Sequence, residues 1–258
     1  MFLKLFKYDF LAVIKKLVFY FIVVIGLAVF SKIINLIFYN SEFALIAVFP
    51  SFSYLISVYL GMLVPIILCM VRYYKNMLSD EGYLTHTLPV KKSTLLLSKL
   101  AVTLVMEFLT LATIILSLLI YSFESIPDMA QFILKCIQEF DPSYIGSVYG
   151  LIALGLFELL CCAVFQVTEV AMCLTLGATH NKSKLVFAFL YYVIINFVLQ
   201  IIIGIISAVL VIVFSSIENY QVGHIYLILS FIILLTIVAI VIAYIINLFC
   251  LKRKLNLE

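Results

Sequence analysis

Three carboxylic acids, Glu107, Glu158 and Glu169, stand inside long apolar runs of this chain. A charge at membrane depth is costly, so an acid there faces a protein interior or a watery path, or serves as a hydrogen-bonded link between helices. Glu158 and Glu169 are eleven residues apart, three helical turns along roughly one face, and Gln166 adds an amide to the same track. No Lys or Arg is expected at comparable depth to pair with them. Such a set can line a path for a cargo or glue helices together, and both readings stay open at this point.

Other chemistry finds no support. The chain has no HExxH and no GxSxG, and its three histidines, His86, His180 and His224, stand near the ends of apolar runs. The six cysteines have no zinc-finger spacing and mostly sit in apolar stretches, where Cys is a small buried hydrophobe. No metal site, no catalytic residue and no enzyme activity are expected. Residues 177–184, GATHNKSK, look like a phosphate loop at a glance, but Asn181 stands where the second glycine belongs and no strand precedes it. It reads as a basic loop, not a nucleotide site.

The elements that must position these acids are membrane spans. The chain is 66% hydrophobic and 11% charged, against roughly 25% charged residues in soluble domains. Six segments are long enough to cross a hydrocarbon core of about 30 Å: Leu17 to Phe38, Ala44 to Val71, Leu95 to Phe123, Ser147 to Leu176, Leu185 to Phe214 and His224 to Phe249. The outer end of the fifth, Ser207 to Phe214, is a candidate for a re-entrant piece. Gly146 and Gly150 form a GxxxG that suits close helix contact.

Residues 1–16 read as a separate amphipathic helix. Leu3, Phe6, Phe10, Val13 and Leu17 recur at helical spacing, while Lys4, Lys7, Lys15 and Lys16 suit anionic headgroups at a membrane surface. With the N-terminus inside, fourteen of the sixteen Lys and Arg residues fall on the inner side, leaving Lys32 and Lys135. The outer segments are acidic, with Glu42, Glu124, Asp128, Glu139, Asp141 and Glu218. Within the extracellular loop 124–146, Pro127 opens a second amphipathic helix. Met129, Phe132, Ile133, Cys136, Ile137 and Phe140 form its apolar face. The expected fold is therefore an all-α membrane protein, one transmembrane domain over residues 1–258. It has six transmembrane helices, both termini cytoplasmic, and an amphipathic helix at the N-terminus and on the outside.

The longest polar interruption is the inner loop, residues 72–94. Ser79 or Asp80 is placed to cap a short helix from Glu81 to Leu88, Pro89 ends it, and Ser93 caps the next span. Tyr83, Leu84 and Leu88 are its bulky knobs. The stretch DEGYLTHTLPVKKSTLLLSK, Asp80 to Lys99, resembles the corresponding loop of integral membrane subunits of ABC-2 type transporters, especially those of Gram-positive bacteria. The six-span layout resembles the same family. The resemblance implies that Asp80, Glu81, Gly82, Tyr83, Leu84, Thr85, His86, Thr87, Leu88 and Pro89 form a coupling helix that docks on a separate ATPase subunit. That partner would bind the ATP and Mg, and this chain would carry no cofactor. It also implies a second membrane subunit meeting this one through the first and fifth spans, and a place in the bacterial plasma membrane. Residues 1–16 would be the connecting helix. With short outer loops and apolar spans, the expected cargo is a hydrophobic or amphipathic substrate such as a peptide toxin or antimicrobial peptide. Glu107, Glu158, Gln166 and Glu169 are its candidate path, and no nucleic acid is involved. An ATP-independent carrier or channel, or a lipid or drug exporter of the same family, is the alternative.

Overall fold

The computed structural model describes residues 2–38, 45–79, 81–87, 89–123, 127, 131, 145–180, 183–215 and 222–253. Among them the chain is helical throughout, with no strand: α1 (Phe2–Phe38), α2 (Leu45–Leu78), α3 (Glu81–His86), α4 (Lys92–Tyr121), α5 (Ile145–Gly177), α6 (Lys184–Ser215) and α7 (Val222–Arg253). All but α3 are long and apolar enough to cross a membrane. Large apolar side chains are exposed along every one of these six helices. In water that surface would be untenable; in hydrocarbon it is what a span requires. The chain is a multi-pass membrane protein.

The N-terminal segment is not a separate element. Residues 2–16 are the first turns of α1, which runs unbroken for 37 residues. The chain holds no Gly or Pro between Phe2 and Val24 to stop the helix. The backbone of α6 likewise stays helical to Ser215, through the stretch considered for a re-entrant turn. The outer amphipathic helix expected after Pro127 lies outside the described residues.

By its internal contacts the chain divides into two compact units. The first comprises Met1–Arg72 and Thr94–Pro142. Its core is the seam where α1 meets α2 and α4: Val13, Leu17, Cys69, Val102 and Met106 are buried, with Phe6 and Phe10 packed against them. Phe6, Phe10, Val13 and Leu17 of the apolar face are thus packed on protein, while Leu3 is exposed. Nearer the other end of α1, Val24, Ala28 and Tyr54 form a second cluster. Polar links surround it. Ser31 Oγ donates to the Pro50 carbonyl at 2.8 Å, Tyr54 Oη and Ser117 Oγ are 3.0 Å apart, and Asn35 Nδ2 donates to Ser51 Oγ at 3.0 Å. Pro65 has no N–H to offer the Gly61 carbonyl one turn back. Gly61, lacking a Cβ, admits the Tyr20 ring, whose hydroxyl donates to the Ser57 carbonyl.

The second unit comprises Tyr73–Ser93 and Ser143–Glu258. Here α5 packs on both α6 and α7, over buried Met172, Cys173 and Ala243. Gly150 meets the Tyr226 ring of α7, a close approach that a side chain would block. Where α5 turns into α6, the His180 ring lies on Phe187, centroids 4.0 Å apart, and its Nε2 is 3.0 Å from Tyr191 Oη.

Gly177 ends α5 directly against the start of α6. A Cβ there would come within 2.5 Å of the Lys184 carbonyl oxygen and 2.6 Å of the Ala188 nitrogen, both backbone atoms that cannot swing away. Gly177→Ala is therefore expected to destabilise the protein by about 1–3 kcal/mol, the usual cost of overpacking. Thermal unfolding of the two proteins in the same detergent measures it, and an unchanged melting temperature would mean that the junction yields.

Candidate functional site

The inner hairpin is built on the ends of two long helices. α2 runs to Leu78, seven residues past the expected span end, and closes tightly: Ser79 N–H donates to the Tyr74 carbonyl at 3.1 Å, and Ser79 Oγ donates to the Lys75 carbonyl at 2.6 Å. The Ser79 hydroxyl thus finishes α2, and its bond to α3 comes from the backbone, where Gly82 N–H donates to the Ser79 carbonyl at 2.7 Å. α3 spans six residues, Glu81–His86, two fewer than expected. Thr87 N–H still donates to the Tyr83 carbonyl at 3.2 Å before Pro89 redirects the chain. Ser93 is not a cap, because α4 already begins at Lys92.

One side-chain bond ties α3 to α2: Thr85 Oγ1 donates to the Asn76 carbonyl, and also to the Gly82 carbonyl of its own helix at 2.9 Å. Gly82 is buried. The base beneath is fixed to α7. Tyr73 Oη donates to Asn247 Oδ1 at 3.3 Å, and Lys92 Nζ donates to the Leu251 carbonyl at 2.7 Å. Tyr73, Met77, Leu78 and Leu251 are buried around these bonds. The result is a stiffly seated turn of helix whose Tyr83 side chain is 66% exposed. Glu81, Thr87 and Pro89 are exposed beside it. Asp80 and Leu88 lie outside the described residues, as do the side chains of Leu84 and His86.

Within the second unit Glu158 and Glu169 bond to different helices. Glu169 is buried and accepts from Asn196 Nδ2 of α6 at 2.8 Å. Glu158 Oε2 accepts from Thr236 Oγ1 of α7 at 3.2 Å. Each acid thus links α5 to a different neighbour, and Gln166 is exposed. Spacing alone could not reveal this, because a helix between two partners divides a single face between them. Glu107 belongs to the first unit, where its Oε1 is buried with no hydrogen-bond partner. Among the described residues no group of His, Cys, Asp and Glu could hold a metal ion.

One charged cluster escaped the sequence reading. Asp9 of α1 is buried and accepts from Arg72 Nε of α2 at 2.7 Å and from Lys99 Nζ of α4 at 2.6 Å. Lys99, expected as a loop cation, has a side chain only 9% exposed. A cavity of about 10 Å³ adjoins the trio, lined by Asp9, Val13, Cys69, Arg72, Lys99, Val102 and Thr103. That is room for about one water molecule. The clue available in the sequence was Asp9 itself: it lies at i+3 from Phe6 and i−4 from Val13, a carboxylate on the apolar face of its helix. Lys4, Lys7, Lys15 and Lys16 are all exposed.

Comparison with known protein families, with characterised proteins and with solved structures gave no match.

Asp9 binds two cations at once, so its removal leaves Lys99 buried without this partner. Asp9→Ala is expected to cost about 3–5 kcal/mol, the range for breaking a buried ion pair from one side. The double variant Asp9→Ala/Lys99→Met should recover a large part of that loss. Chemical or thermal unfolding in detergent decides, and a double variant no more stable than the single one would remove the ion pair from the account.

Proposed function

We propose that this chain is the membrane subunit of an ATP-driven exporter, with the α2–α3–α4 hairpin as the contact through which a separate ATPase acts. The observation that carries the reading is α3: a six-residue helix bonded to the end of α2, in a hairpin whose arms α2 and α4 bond to α7, with Tyr83 exposed. Tyrosine is among the residues that most often anchor an interface. The six apolar spans and the resemblance of Asp80 to Lys99 to ABC-2 type loops support the same assignment. In this reading the hairpin and both termini are cytoplasmic, as the Lys and Arg distribution requires. The ATPase binds ATP and Mg, and a second membrane subunit completes the transporter across the faces of α1 and α6.

The cargo in this reading is hydrophobic or amphipathic and carries positive charge. The three intramembrane acids, with no basic partner of their own in the contacts described above, motivate that choice. An unaided proton-driven carrier is the competing reading, favoured by the unpartnered Glu107 oxygen. ATP dependence of transport in reconstituted vesicles separates the two.

Tyr83→Ala should leave the fold intact and weaken ATPase binding about thirtyfold, the loss of a ~2 kcal/mol anchor. Co-purification of the ATPase with each variant measures this; a chain that never retains an ATPase sinks the proposal. Replacing Glu107, Glu158 and Glu169 together by Gln should reduce export of a cationic peptide. Unchanged export in a properly inserted triple variant would take the acids off the path.

A further inference from the structure

The cluster at Asp9 carries one carboxylate against two cations, a surplus of one positive charge, largely withdrawn from water. An uncompensated charge in such a place is costly. Among the described residues no second acid is ion-paired with Arg72. None lines the cavity, and Glu107 is eight residues along α4 from Lys99, about 12 Å of helix rise. The exposed lysines of α1, Lys4, Lys7, Lys15 and Lys16, add further positive charge.

Arg72 is the member of the trio open to the outside, with its side chain 33% exposed. Its guanidinium engages Asp9 through Nε. Among the described residues its two Nη amino groups have no partner. A guanidinium held through Nε presents the Nη groups as a planar fork, the geometry that binds a phosphate by two parallel hydrogen bonds. Level matters as well. Arg72 is six residues from the end of α2, and Lys99 seven from the start of α4, about 10 Å of rise in each case. Both helices are longer than the roughly 20 residues that cross hydrocarbon, so these positions fall near the headgroup layer. The abundant anion at that level is a lipid phosphate.

We propose that Arg72, backed by Lys99 and oriented by Asp9, seats the phosphate of an anionic phospholipid in the leaflet on the side of the N-terminus. Asp9 fixes the direction of the fork, and the lipid phosphate neutralises the surplus charge at its rim. The cavity behind is water-sized and too small for the phosphate itself, which therefore binds at the mouth. The apolar walls Val13, Cys69 and Val102 lie beneath, on the side of the acyl chains.

The test counts lipid retained by the purified full chain, by native mass spectrometry from mixed micelles of phosphatidylglycerol and phosphatidylcholine. Neither ATP nor transport enters this readout, so it stands or falls apart from the exporter reading. The wild-type chain should prefer phosphatidylglycerol, and Arg72→Gln should lower that preference about tenfold, the loss of ~1.4 kcal/mol. Arg72→Lys, which keeps the charge but not the fork, should retain a preference between the two. Equal retention of both lipids by the wild-type chain overturns the proposal, and so does a preference unchanged in Arg72→Gln. If Arg72→Lys falls as low as Arg72→Gln, the residue acts through packing and the site is refuted. Inorganic phosphate alone should not displace the lipid; if it does, the ligand is the free ion and the lipid assignment fails.

Discussion

Asp9 is the point on which the first unit turns. In hydrocarbon, apolar side chains gain nothing by meeting each other in place of lipid, so packing alone gives helices little reason to choose one rotation over another. A carboxylate shared by two cations supplies that reason. It ties α1 to α2 through Arg72 and to α4 through Lys99, and both bonds are short. With that contact set, Phe6, Phe10, Val13 and Leu17 have one seam to fill. On α4, Thr103 and Thr110 donate to their own helix at Lys99 and Met106.

The second unit meets the same constraint with hydrogen bonds between side chains of neighbouring helices. Asn196 to Glu169 joins α6 to α5, Thr236 to Glu158 joins α7 to α5, and Tyr73 to Asn247 joins the end of α2 to α7. α7 is apolar around its whole circumference, so these few atoms decide which side of it faces protein. The Gly150–Tyr226 and Gly177–Ala188 contacts then set how closely the backbones approach.

The six spans were readable because hydropathy over twenty residues is a sum, and sums survive local irregularity. The short helix before Pro89 was readable because proline and glycine act locally. Partner choice was not. Glu158 and Glu169 share a face by spacing yet bond to α7 and α6, since sequence gives the angle of a residue but not which neighbour occupies it. Residues 2–16 have a clear amphipathic pattern, and that pattern is the same whether the apolar face meets headgroups or another helix. Only Asp9, on that face, distinguishes the two cases, and its significance depends on Arg72 and Lys99, more than sixty residues away.

Pro65 gives α2 a mechanical character of its own. Its missing N–H leaves the helix one hydrogen bond short at Gly61, where the Tyr20 ring of α1 takes the place of a side chain. To one side, Ser31 holds Pro50 and Tyr54 bonds Ser117; to the other, Asp9 grips Arg72. Within the first unit α2 is thus tied to its neighbours on both sides of Pro65, with the bond that the proline removes lying between the ties.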